Sequence, residues 1–189
     1  MNSMYEAISD LVDKLPDGLR RHSDAVKSIA ENLANVHNAD SDLASMAAKG
    51  HDIARLIAPH DLLKHACEYK IPLTDVDRQV PMLLHGPVGA EMLLSQFPTL
   101  PDSVYRAIYW HTTFNADLDD IGKIVFLADK LDPQKSTRYP YQRLLQDLSE
   151  KNLNRAVKEF LNREIISLVN QSKLVHPRML EARNTIIIG

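Results

Sequence analysis

Ser41-Asp-Leu-Ala-Ser-Met-Ala-Ala-Lys-Gly-His-Asp-Ile-Ala-Arg-Leu-Ile57 is the stretch on which the fold class turns. Leu43, Met46, Ala47, Gly50, Ile53, Ala54 and Ile57 recur at the three- and four-residue spacing of one helix face. Asp40 or Ser41 is the expected N-cap, and Pro59 the expected stop. This spacing predicts a helix running to Ile57, with the pair His51-Asp52 inside it. Because that face also carries Gly50 and Ala54, one member of the pair must lie at or near the packed side. A carboxylate in such a place is costly unless it is paired or bound to a metal.

The same period extends in both directions. Ala7, Ile8, Leu11, Val12 and Leu15 form a stripe ended by Pro16-Asp17-Gly18, and Val26, Ile29, Ala30 and Leu33 form a second, with His22 one turn earlier. Residues 60–81 are less regular, with Pro72 and Pro81 as punctuation and Thr74 or Asp75 as the cap of a short helix. Further helices are expected from His85-Gly86-Pro87 to Pro98, from Asp102 to Trp110, from Ile121 to Leu131, after Pro140, and over about 152–170. The tail Thr185-Ile-Ile-Ile188 is the only β-like patch. The reading is all-α, a single compact helical bundle over 1–189 with a short N-terminal helix and a packed C-terminal tail.

Composition narrows the function. A soluble chain of 189 residues buries roughly 70% of its unfolded surface and needs no staple. Its one cysteine, Cys67, excludes a disulfide framework or a thiolate metal cluster. A formal charge of -3 argues against a nucleic-acid partner. No run of eighteen apolar residues argues for a membrane, and the N-terminus has acids where a secretion signal has basic residues; a cytoplasmic protein is expected. No glycine-rich phosphate loop follows a strand. A homodimer stays open, since a stripe buried at an interface looks like one buried in a core.

Eight histidines are the remaining oddity, about twice ordinary usage. His22 points with Val26 toward the core, His85 stands at a Leu-Leu-His-Gly-Pro junction, and His111 ends the apolar segment Ala107-Ile108-Tyr109-Trp110. Asp129 follows Ile124-Val125-Phe126-Leu127-Ala128, the most apolar run of the chain. Each alone could be a cap or a satisfied buried group. Together, at the inner ends or faces of separate helices, they are better explained by a shared metal site. His22, His51, Asp52 and Asp129 can supply one metal, and Asp52 can bridge to a second held by His85 and His111. Imidazole and carboxylate without thiolate suit Fe, Mn, Zn or Co. Two such ions clamp the attacking and leaving oxygens of a phosphoryl group.

The ordered set His22, His51-Asp52, His85, His111 and Asp129 resembles the HD-domain metal phosphohydrolases. Longer strings bring the chain close to the YqeK-type branch of symmetrical bis(5'-nucleosyl)-tetraphosphatases. These are Leu84-His85-Gly86-Pro87-Val88-Gly89-Ala90, His111-Thr112-Thr113, Lys123 to Asp129, His176-Pro177 and Ala182-Arg183-Asn184, so the resemblance covers about 19–187. It implies two metal ions, iron first, with the six residues as ligands. It also implies attack of metal-bound hydroxide on an inner phosphate of diadenosine tetraphosphate, giving two ADP. The rival readings are another nucleotide or a nucleoside monophosphate as substrate, an oxygenase on the same scaffold, and a non-catalytic metal-binding regulatory domain.

Three positions depart from the family pattern. Phe114 stands where a Gly usually follows His-Thr-Thr, Leu131-Asp132-Pro133 with Lys135 replaces Ile-Glu-Pro with Arg, and Lys49-Gly50 replaces an apolar pair. None is expected to touch a ligand, and all bear on pocket shape or charge. The expected catalytic set is Asp52, His85, His111 and Lys123. Substrate contacts are expected from His85, Thr112, Thr113, Lys123, Lys135 and Arg138, against the plainer reading of the cations as solvated helix surface. His37, His60, His65 and His176 are expected to stay outside the metal site.

Overall fold

A computed structural model describes residues 2–188. Among these residues there are eleven α-helices and no strand. They are α1 (Asn2–Val12), α2 (Asp17–Val36), α3 (Ser41–Gly50), α4 (Pro59–Glu68), α5 (Asp75–Gln79), α6 (His85–Gln96), α7 (Asp102–Trp110), α8 (Asp120–Leu131), α9 (Gln142–Ser149), α10 (Leu153–Asn170) and α11 (Pro177–Ile188). Short 3-10 turns at Pro81–Leu84 and Pro133–Lys135 lead into His85 and out of α8. None of the described helices is long and apolar enough to cross a membrane.

At the centre runs α8. Every residue from Ile124 to Leu131 is buried, and α2, α3, α7 and α10 all pack against it. A helix apolar on all sides must be enclosed, so the charged residues at its end, Asp129 and Lys130, are enclosed with it. A smaller apolar cluster of Ala54, Leu62, Ala66, Ile71, Leu84 and Val88 closes the side under α4 and α6.

Asp40 does cap α3, accepting from the backbone N–H groups of Asp42 at 2.9 Å and Leu43 at 3.1 Å. The helix, however, ends at Gly50 and not at Ile57. Residues 51–56 form successive tight turns, with Ile53 N–H to Gly50 C=O at 3.2 Å, Arg55 to Asp52 at 2.9 Å and Ile57 to Ala54 at 3.1 Å. Three-residue turns preserve nearly the same apolar spacing as an α-helix, so the period could not separate the two. The difference matters because both His51 and Asp52 are buried. Consecutive residues of a regular α-helix would diverge by about 100°.

Two other segments are more ordered than their sequence suggests. Pro59 not only follows the turns but opens α4 at a first-turn position, where its missing N–H costs nothing. Thr185–Ile188 is the end of α11 and not a β-like patch; tertiary context outweighs the mild helix penalty of β-branched residues.

Phe114 explains one family departure. Its φ of 68° lies in the left-handed region that favours glycine. The ring offsets that strain by burial in the core, 4.8 Å from Phe126, whose own ring lies 5.3 Å from Phe160. Phe114→Ala is expected to destabilise the fold by about 3–5 kcal/mol. Phe114→Gly, which loses the same ring but relieves the backbone, should be the less damaging by about 1 kcal/mol. Urea unfolding of the two variants checks this, and the ordinary order, Ala above Gly, would contradict it.

Candidate metal centre

The six buried histidines and aspartates of the centre are delivered by five different features of the bundle. His22 comes from α2, His51 and Asp52 from the turns after α3, His85 from the first residue of α6, His111 from the residue after α7, and Asp129 from α8. Gly86 permits the approach of two of these. A Cβ there would lie 3.0 Å from the Tyr109 carbonyl oxygen and 3.1 Å from His111 Nδ1, so the start of α6 can press against the end of α7.

The four imidazoles share one orientation. His51 Nδ1 lies 2.7 Å from the Ala48 carbonyl, His85 Nδ1 2.5 Å from that of Met82, and His111 Nδ1 2.7 Å from that of Ile108. His22 Nδ1 faces the Asp132 carboxylate. Carbonyl and carboxylate oxygens only accept, so each Nδ1 carries a proton, and Nε2 of the neutral ring is the nitrogen left with a lone pair for a metal. Those lone pairs converge. His22 and His51 Nε2 are 3.2 Å apart, and His85 and His111 Nε2 are 3.0 Å apart.

Two carboxylates complete the convergence. Asp52 Oδ1 is 2.9 Å from His85 Nε2 and 3.5 Å from His111 Nε2, while its Oδ2 is 3.6 Å from His22 and 3.7 Å from His51. Asp129 Oδ1 is 3.1 Å from His22 and 3.5 Å from His51. His22, His51 and Asp129 form one group able to hold a metal ion, and His51, Asp52 and His111 another. Lone pairs this close repel unless a cation stands among them, so the donor set fits metal binding, with one Asp52 oxygen turned to each imidazole pair.

Electrostatics agree. Burial alone would raise the Asp52 carboxyl, yet His51, His111 and His85 hold it well below the usual range. Asp129 is likewise held down against burial by Lys130 and Lys135, then His22 and His51. Burial and the neighbouring imidazoles push His111 down to about 3, with Asp52 opposing. His51 goes the other way, because Asp52 and Asp129 outweigh its burial. The array is therefore two anions with imidazoles that do not all accept protons, a composition that cations complete.

The centre forms the floor of a cavity of about 580 Å³. Asp52, His85, His111 and Asp129 line it, as do Thr112, Lys135 and Arg138 from the expected substrate contacts. Thr112 already donates to the Leu83 carbonyl at 3.0 Å. Thr113 is buried and does not line the cavity. Lys123 does not reach it either: its amine lies 3.1 Å from Asp120. Six residues before Asp129 is well short of two full turns, which puts Lys123 on another side of α8.

Three residues that support the ligand positions have roles the sequence reading did not assign them. Lys130 is wholly enclosed, 2.7 Å from Asp129 Oδ2 and 2.8 Å from the His111 carbonyl. Asp132 orients His22, and Lys135 contacts Asp129. The expectation that no family departure touches a ligand position is thus overturned at two positions. Lys49 turns away, its amine 2.6 Å from Asp24. His60 and His65 lie outside the cavity. His37 is half-buried, joining α2 to the Ser149 carbonyl at 2.6 Å. His176 lines the cavity, paired with Asp77 at 3.3 Å.

The sequence profile described as HD domain matches residues 19–134, which include all six converging residues. The chain belongs to the HD domain family. Similar proteins named symmetrical bis(5'-nucleosyl)-tetraphosphatase include one from Bacillus subtilis, 25% identical over 97% of both chains. Another, from Halalkalibacterium halodurans, is 26% identical over 89% of this chain and 88% of its own. A crystal structure from Clostridium acetobutylicum, of an HD superfamily hydrolase described as involved in NAD metabolism, superimposes with a TM-score of 0.91. It is 25% identical and covers 97% of each chain. HD domain membership accounts for the all-α fold and for a divalent-metal site in it.

A ligand present at about 100 times its dissociation constant stabilises a fold by about 2.7 kcal/mol. For a domain of this size, divalent metal is therefore expected to raise the unfolding midpoint by about 5–10 °C, and a chelator to reverse it. Asp132→Asn should weaken metal binding by about 10–100-fold through loss of the His22 orientation, measured by titration calorimetry.

Proposed function

We propose that this protein is a two-metal phosphohydrolase that splits diadenosine tetraphosphate symmetrically into two ADP. The observation that carries the reading is Asp52, whose two oxygens are divided between two imidazole pairs on the floor of a cationic cavity. His22, His51 and Asp129 would hold one ion and His85 and His111 the other, with Asp52 shared. Imidazole and carboxylate donors suit iron, with Mn, Zn and Co as alternatives. When bound, such a pair supplies Lewis acidity and an activated water for attack on phosphorus.

The chain's own residues do the rest. Backbone carbonyls at Ala48, Met82 and Ile108 keep the Nδ1 protons in place, so the Nε2 donors stay aimed at the floor of the cavity. Lys130 keeps Asp129 ionised at the bottom of the cavity. Arg55, Lys135, Arg138 and Lys173 line the walls and offset the charge of a polyphosphate, steering it to the floor. The names borne by relatives over almost the full length of this chain support the substrate. A tetraphosphate cut between its two inner phosphates leaves identical halves.

Asp52→Ala is expected to remove bound metal and to lower tetraphosphate hydrolysis by at least about 10³-fold, while circular dichroism stays that of a folded protein. An unchanged rate would refute the assignment. Product chromatography gives the second check: two equivalents of ADP are expected, and ATP plus AMP would exclude symmetrical cleavage. Anaerobic purification with metal analysis identifies the ion.

A further inference from the structure

Most charged groups on the cavity wall beyond the centre are cations, and Glu164 is the exception. It lies on α10 with its side chain only 15% exposed. Phe160, one turn before it, and Leu168, one turn after, line the same cavity, so the carboxylate interrupts an apolar stripe facing the substrate space. Beside a polyphosphate a carboxylate is unfavourable unless it does something the phosphates do not need.

Arg138 explains half of that group. Its guanidinium donates to Glu164 Oε1 at 3.0 Å through a single nitrogen. An arginine–carboxylate pair placed only to neutralise charge commonly uses both oxygens. Here Oε2 has no hydrogen-bond partner among the described residues. The wall therefore offers a partly desolvated carboxylate oxygen beside the half-buried aliphatic surface of Leu168. Three residues earlier in the chain than Arg138, Lys135 contacts Asp129. The wall thus runs from a phosphate-attracting floor to an apolar rim with one acceptor.

We propose that Glu164 accepts hydrogen bonds from the ribose hydroxyls of a nucleoside diphosphate unit and makes the cavity selective for ribonucleotides. The inference rests on reading the cavity as a nucleotide site. A carboxylate is the natural reader of a sugar hydroxyl, which it recognises by accepting. Leu168 then flanks the sugar with aliphatic surface, and Arg138 holds the carboxylate in place while facing the phosphates.

The test is titration calorimetry of the Mn2+-loaded protein with ADP and with 2',3'-dideoxyadenosine diphosphate. The native protein is expected to bind ADP about 10–100-fold more tightly, as a charged hydrogen bond predicts. In Glu164→Ala the ratio should fall to within about threefold. Glu164→Gln, which keeps an acceptor for Arg138, should also lose most of the discrimination. Both ligands carry the same phosphates, so a loosened Arg138 or a perturbed helix moves both affinities and leaves the ratio. Equal binding of the two ligands by the native protein, no binding of ADP, or an undiminished ratio in Glu164→Ala overturns the proposal. Hydrolysis of diadenosine tetraphosphate on the same samples separates the two readings. Discrimination without hydrolysis keeps Glu164's role and removes the hydrolase assignment; hydrolysis without discrimination does the reverse.

Discussion

Mutual repulsion among four imidazole lone pairs and two carboxylates is the constraint around which this bundle is built. Nothing in the hydrophobic effect favours that arrangement, because each group loses water on burial and gains neighbours of the same polarity. What holds it is rigid backbone. Three of the imidazoles are tied at Nδ1 to a carbonyl three residues earlier, so the local turn of the chain itself aims the ring. The fourth, His22, lies inside α2, where main-chain carbonyls are engaged along the helix, and it uses Asp132 from across the bundle instead. The centre therefore depends on where helices end as much as on which residues they carry.

Burial of α8 has the same consequence on the other side. An all-apolar helix end drags Asp129 out of water, and the two lysines that compensate it come from its own helix terminus and the turn beyond. With Lys130 alone, on Oδ2, the Oδ1 that faces His22 and His51 would have no lysine beside it; Lys135 supplies one. Lys130, with a phenyl face of Phe126 4.3 Å from its amine, tolerates full enclosure because it binds both Asp129 and a backbone carbonyl.

How much of this could be read beforehand follows the physics of each signal. The helices were legible wherever a long apolar stripe ran uninterrupted, as in α2, α8 and α10. The end of α3 at Gly50 was not, since tight turns and an α-helix share nearly the same apolar period. The six converging residues stood out because buried histidines and aspartates at helix ends lack a cheap structural explanation. Their supports did not: Asp132 and Lys130 look like ordinary polar residues at a helix terminus, and only the folded chain shows that one faces His22 and the other Asp129. Lys123 failed for the opposite reason, being judged by distance along α8 without its angle around it. Four of the eight histidines meet at the centre; the other four have local roles, among them His37 as a tie to α9 and His176 as a partner of Asp77.

Chemistry and selectivity occupy different parts of the chain. All six converging residues lie within residues 19–134, the part that matches the HD domain profile. The cavity they floor is closed by Tyr139, Phe160, Glu164, Leu168, Lys173 and Met179, every one of which lies beyond it. A metal floor that polarises phosphate is indifferent to what the phosphate is attached to, so discrimination among nucleotides falls to the walls, which also include Arg55, Val80, Met82 and Leu83 from within the matched part. The outer wall is also where the energetics allow change. An apolar residue on α10 can be exchanged for another at modest cost, whereas moving any imidazole of the floor by an ångström leaves its lone pair against its neighbours. Membership in the HD domain family thus bears on the reaction class through the floor, while α10 and the segment leading into α11 add walls that lie outside the matched part.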